Sequence, residues 1–239
     1  MEMGFWSWVS FIAQEYGHLF LQGAAIAVFL AVAGTFLGTV IGCAGCLVST
    51  LASFSYERSA RKHVLSCLAW LTSFYVWLFR GTPMMVQAVV IYYGASALFQ
   101  WDLNPLAAGL FVVSLNTGAY MVETMRGGIS SVDSGQMDGA DALGMSRFQA
   151  MRLVILPQAF RSVIPQIGNF LVSNVKETSV LSIITVNELF YSGREAAGNY
   201  FRYFETFFII CVIYLILTTI LSFLLQRLER RLKKMPSAR

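Results

Sequence analysis

The amino-acid sequence predicts an all-α polytopic membrane protein, and three observations carry the prediction. The chain has 239 residues, 56% of them hydrophobic and 13% charged, where a soluble domain carries about 25% charged residues. Its apolar residues gather into runs that approach or exceed the roughly 20 residues a helix needs to cross a bilayer. Its basic residues are clustered, and membrane topology depends on where such clusters fall. The length suits a single domain, 1–239, with no room for a catalytic domain beside several spans.

Met1 to His18 lacks a basic n-region and carries Glu2 and Glu15, so it reads poorly as a secretory signal peptide. Phe5, Trp6, Trp8 and Phe11 read as an interfacial aromatic belt ahead of a first span over 19–51. Gly34, Gly38 and Gly42 recur every four residues in that span and share one helical face, where a neighbouring helix can approach closely. Cys43 and Cys46 form a CxxC, but they sit in an apolar run with no second ligand pair and no nearby His. They read as small membrane-core residues rather than a redox or zinc site.

A polar segment from Glu57 to Lys62 follows, then an apolar element over 64–99 interrupted by Arg80-Gly81-Thr82-Pro83. Further runs cover 105–125, 160–190 (broken at Lys176-Glu177) and 203–227. Basic clusters lie at Arg58/Arg61/Lys62, between Arg126 and Arg161, and from Arg227 to Lys234. All three fall on the cytoplasmic side if 64–99 crosses once as a kinked element. The expectation is therefore five transmembrane helices, with the N-terminus outside and the C-terminus in the cytoplasm. Arg194 and Arg202 then fall outside, against the trend.

The loop over 126–159 holds two helix signatures. Asp133 with Gln136 resembles a capping-box start, and Gly144 supplies a stop. Ser146 with Gln149 opens a second short helix, expected to end ahead of Pro157. Met137, Ala140, Leu143 and Met145 give one apolar face. Spacing alone leaves two readings open: a helix packed on the protein's own spans or the headgroups, or a docking helix for a soluble partner.

The segment Gly135 to Gly144, followed by Val154-Ile155-Leu156-Pro157-Gln158, resembles the EAA loop of bacterial ABC importer permeases. Asp138-Gly139-Ala140 stands where that family has Glu-Ala-Ala; Gly144, Leu156 and Pro157 match at the family's spacing, and Val154 replaces Ile. Arg80-Gly81-Thr82-Pro83, Gln87, Glu123, Arg126-Gly127-Gly128-Ile129, Lys176-Glu177-Thr178-Ser179 and Glu188-Leu189 resemble the polar amino acid uptake branch. The resemblance covers roughly residues 15–230. Gly139 in place of Ala weakens helix propensity by up to about 1 kcal/mol, and Asp138 has a shorter reach than Glu.

The resemblance implies a type I ABC importer permease fold in the bacterial plasma membrane. It implies two permeases facing each other, as a homodimer or with a sister subunit, and two ABC ATPase subunits docked below. An extracytoplasmic binding protein would deliver a polar amino acid. ATPase coupling would fall to Asp138, Gly139, Ala140, Leu143, Gly144 and Met145. ATP and Mg would belong to the partner ATPase, with no cofactor, metal or nucleic acid on this chain. Independently, no G-x-x-x-x-G-K-[ST] occurs, so the sequence shows no P-loop.

Polar residues at membrane depth are functional candidates because desolvating them is costly. Gln87, Asn116, Tyr120, Lys176, Glu177, Thr178 and Ser179 are the pathway candidates, with Arg80 and Pro83 at a gate or interface. Asn116, Tyr120 and Glu123 share a helical face, which suits an amino acid's ammonium and carboxylate and equally suits helix–helix hydrogen bonds. Lys176 and Glu177 are adjacent and do not face each other in a regular helix; a helix end with Lys176 snorkelling is the alternative. His18 and His63 read as bystanders. A related importer for another small polar solute, a secondary transporter and a membrane enzyme are the rival functions. A secondary transporter would normally show repeated halves and an enzyme a converging catalytic set, and the sequence shows neither.

Overall fold

The computed structural model describes residues 4–54 and 60–233. Glu57, Arg58 and the tail from Lys234 onward, parts of two expected basic clusters, lie outside the described residues. Among the described residues every regular element is helical. Four helices are long and apolar enough to cross a membrane: α1 (Phe5–Phe54), α2 (Ala60–Gly81), α4 (Pro105–Ser130) and α9 (Tyr203–Lys233). The shorter apolar α3 (Met84–Phe99) follows α2 after a break at Thr82-Pro83. Pro83 has no N–H and disfavours helical backbone at the residue before it, so the kink expected within 64–99 becomes a division into two helices.

α1 is longer than the expected first span. Its 50 residues would extend about 75 Å at 1.5 Å per residue. The aromatic residues ahead of position 19 belong to the same helix as the span and are held by side-chain packing described below.

The chain divides into two compact units. One comprises residues 1–34, 84–113 and 170–239. It contains the end of α7 (Leu156–Glu177), a 3-10 helix over Thr178–Ile184, and α8 (Leu189–Tyr200). One of its cores joins Leu30, Ala88, Val112, Val113, Leu181 and Ile184, all buried. A second core joins Ile12, Phe20, Leu189, Ala196 and Ile210. The N-terminal aromatics extend it: Phe5 packs on Phe204 at 5.4 Å between ring centroids and Trp8 on Tyr200 at 5.9 Å. The Tyr200 hydroxyl donates to the Glu15 carboxylate at 2.9 Å. That bond pushes the Tyr200 hydroxyl up to about 12, so it remains a neutral donor across ordinary pH. Arg202 lies 4.8 Å over the Trp8 ring and 3.5 Å from Glu205, and Arg194 lies 5.2 Å over Tyr191. The two arginines that run against the charge trend are both partnered.

The other unit comprises residues 35–83 and 114–169. The glycine face of α1 meets α4 here. A β-carbon at Gly38 would lie 2.7 Å from the Thr117 Cβ, and one at Gly42 would overlap Met121. Only hydrogen fits at these two positions, which is the close helix approach the spacing predicts. The Tyr75 hydroxyl ties α2 to the same helix by donating to the Leu115 carbonyl at 2.5 Å.

Candidate coupling helix and pathway residues

α5 (Ser134–Ala142) begins where the capping residue predicts. The Asp133 carboxylate accepts from the Gly135 N–H at 2.7 Å, satisfying one of the donors a helix start leaves open. Gln136 does not close a capping box. Its side-chain oxygen accepts instead from Gln158 Nε2 at 3.2 Å, tying α5 to the start of α7. The helix ends in a left-handed turn at Gly144, φ +73°, and the Met145 N–H returns to the Ala140 carbonyl at 3.1 Å. A side chain at 144 would be strained by its Cβ, so glycine sets the turn.

The apolar face of α5 divides. Ala140 is 4% exposed, and Met137 and Met145 are half-buried, whereas Leu143 is 82% exposed. Asp138, Gly139 and Gly144 are exposed as well. Ala140 anchors the helix to its own unit, while Leu143 offers a large apolar side chain outward.

The second short helix, α6 (Arg147–Ala150), has a full reciprocal cap. Gln149 N–H donates to the Ser146 hydroxyl at 3.3 Å, and Ser146 N–H donates to Gln149 Oε1 at 2.9 Å. Contrary to expectation, the helix does not end ahead of Pro157. It widens into a π turn over Met151–Ile155, with the Leu156 N–H reaching back to the Met151 carbonyl, and continues as α7. Proline opposes a regular α-helix through its missing N–H and its clash with the carbonyl four residues earlier. The i→i−5 geometry relaxes the ladder where Pro157 enters.

In the same unit, Arg80 sits between two of the polar residues on α4. Its guanidinium lies 5.5 Å over the Tyr120 ring and 3.6 Å from Glu123 Oε2, and Arg126 also pairs with Glu123. Asn116 is buried, and its Nδ2 donates to the Phe79 carbonyl at 3.5 Å. The Asn116/Tyr120/Glu123 face therefore engages the end of α2.

In the first unit, α7 ends at Glu177 and the chain tightens into the 3-10 helix, so the break at Lys176-Glu177 is present. No ion pair joins these two among the described residues. Lys176 and Ser179 line a hollow of about 350 Å³ with Phe190, Phe207 and Tyr214; Glu177 is exposed elsewhere. Thr178 is fully buried, its hydroxyl donating to the Val175 carbonyl at 3.0 Å. That bond is internal to the helix end. Gln87 is buried in the first turn of α3, after Pro83.

Glu188 is the residue whose role the sequence left unread. It is fully buried and caps α8: its carboxylate accepts from the Phe190 and Tyr191 N–H groups, each at 2.8 Å, and from the Tyr214 hydroxyl at 3.0 Å. An acidic residue just before a helix with no other acid in its first turn was the available signal.

A protein-family model described as "Binding-protein-dependent transport system inner membrane component" matches residues 49–234. The chain is 35% identical to the glutamine transport system permease protein GlnP of Escherichia coli (strain K12), over 90% of this chain and 93% of that protein. It is 34% identical to the probable amino-acid permease protein YxeN of Bacillus subtilis (strain 168), over 90% and 91% of the two chains. Its fold matches the crystal structure of an amino acid ABC transporter with histidines. That match has a TM-score of 0.83 and 32% identity, covering 97% of this chain and 100% of that one. With the helical fold and the capped loop helix, these likenesses show that the chain belongs to the family of binding-protein-dependent transport system inner membrane components.

Proposed function

We propose that this chain is the membrane-spanning subunit of an ATP-driven importer for a polar amino acid, and that α5 with the turn at Gly144 receives an ATPase subunit. The observation that carries the docking role is Leu143, 82% exposed on a helix capped and anchored on its other side. A large apolar side chain held outward on a rigid helix is the form a helix-in-groove contact takes. ATP and Mg belong to that partner. Asp138, Gly139, Ala140, Leu143, Gly144 and Met145 serve the contact, Ala140 from beneath.

The arginines at 126, 147, 152 and 161 favour a cytoplasmic position for this loop. With α2 and α3 crossing together and α7 with its 3-10 extension as the fifth crossing, the N-terminus is outside and the C-terminus cytoplasmic. α7 is less apolar than the four spans, as suits a helix facing a pathway rather than lipid. Two such chains, or this chain and a sister permease, enclose the pathway, and an extracytoplasmic binding protein loads it. Lys176 and Ser179 line one hollow and supply groups for a substrate carboxylate; the pathway roles of Gln87, Asn116, Tyr120, Glu177 and Thr178 rest on the family resemblance. Arg80 and Pro83 act at a gate or an interface. The amino acid cargo is supported by the named relatives.

The test is ATP hydrolysis by the chain reconstituted with its ATPase and binding protein, scanned across the common amino acids. Stimulation by one polar class establishes the cargo. No stimulation in a demonstrably assembled complex overturns the amino acid reading.

A further inference from the structure

The unit that carries α5 also contains a cavity lined by none of the pathway, gate or coupling candidates. It measures about 550 Å³ and opens between the last turns of α1, the last turns of α4 and the start of α7. Cys43, Leu47, Met125, Ile129, Leu156 and Phe160 make its wall almost wholly apolar. A second hollow of about 280 Å³, lined in part by Leu51 and Phe148, shares Leu47, Thr50, Met151, Arg152 and Leu156 with it. The two hollows adjoin along this shared wall, and together they make up an apolar groove.

Charge decides what fits this groove. Arg152 and Arg161 line the larger cavity, both are exposed, and neither is in an ion pair among the described residues. No Asp or Glu lines either hollow. α1 and α4 are both long enough to span, and the groove lies at the C-terminal ends of their apolar stretches, beside a loop rich in arginine, which is the placement expected at a cytoplasmic bilayer boundary. An apolar channel at a membrane boundary with two unpaired guanidiniums has the chemistry of a lipid tail site with an anionic head site. A soluble anion would leave the apolar wall unused, and a zwitterionic lipid would leave the net positive charge uncompensated. We infer that this groove binds one anionic phospholipid, its acyl chain between α1, α4 and α7 and its phosphate on Arg152 and Arg161.

Native mass spectrometry of the complete transporter, titrated with phosphatidylglycerol or phosphatidylcholine of identical acyl chains, tests this. The wild-type complex should retain phosphatidylglycerol preferentially. Arg152→Gln with Arg161→Gln should weaken that binding about 30-fold, at roughly fivefold per arginine. Thr50→Trp, which fills the groove without changing charge, should also abolish the tight adduct. Arg227→Gln with Arg230→Gln removes the same charge from α9 and should leave it intact. Equal retention of both lipids overturns the site. So does an equal loss in the α9 variant, which would mean unspecific charge attraction. Absence of the adduct from the assembled complex also overturns it.

Discussion

Glu188→Ala should destabilise the protein by about 1.5–5 kcal/mol, and Tyr214→Phe added to it should restore part of the loss. Removing the carboxylate uncaps α8, worth about 0.5–2 kcal/mol. It also leaves the Tyr214 hydroxyl, 3.0 Å from that carboxylate, without its acceptor, at about 1–3 kcal/mol. Tyr214→Phe alone loses a bond to a charged acceptor, about 1.5–3 kcal/mol. In the Glu188→Ala background the same change deletes an unsatisfied group instead, so its effect should reverse sign. Thermal unfolding of the detergent-solubilised subunit reads both. The single Glu188 variant should fall by on the order of 10 °C, and the double variant should melt above it. Additive losses would refute the coupling and, with it, the view of Glu188 as a buried cap rather than a pathway charge.

Gly144→Val should abolish uptake while the chain still inserts, because a β-branched residue is strained at φ +73° by about 1–2 kcal/mol. Gly144→Asn, which tolerates that conformation, should retain most uptake in proteoliposomes. Gly42→Leu should overlap Met121 and cost about 1–3 kcal/mol; Gly17→Leu, where nothing lies within 4 Å, should leave the melting temperature unchanged. Arg80→Gln removes a partly exposed ion pair worth under about 1 kcal/mol. A fall in uptake of at least about fivefold with unchanged stability is expected of a gate residue, and unchanged uptake would remove Arg80 from that role.

Local chemistry was the most legible part of the sequence. Asp133, Gly144 and the Ser146–Gln149 pair mark their helix ends because capping depends on residues a few positions apart. Gly38 and Gly42 announced the α1–α4 contact because nothing larger fits that approach. The reach of α1 was not legible, since its N-terminal aromatics are held by Tyr200, Phe204 and Phe208, about 200 residues away in sequence. Pro157 misled because a proline stop assumes an α ladder, and a π turn is not visible in residue types. The spacing of Met137, Ala140, Leu143 and Met145 defined a face but not its division. Which side is covered depends on the packing of a whole unit. Glu188 remained unread because a buried cap and a pathway carboxylate have the same side chain, and the Phe190 and Tyr191 N–H groups and the Tyr214 hydroxyl that distinguish them are seen only in the fold.

Copurification of the ATPase with Leu143→Asp tests the coupling assignment most directly. Leu143 is 82% exposed, so a carboxylate there should leave insertion and melting temperature as in wild type. Buried in an ATPase groove, the same carboxylate would be desolvated without a partner, at several kcal/mol. The account predicts a stable, membrane-inserted chain that no longer retains its ATPase and no longer transports. Full ATPase retention together with normal uptake would contradict it.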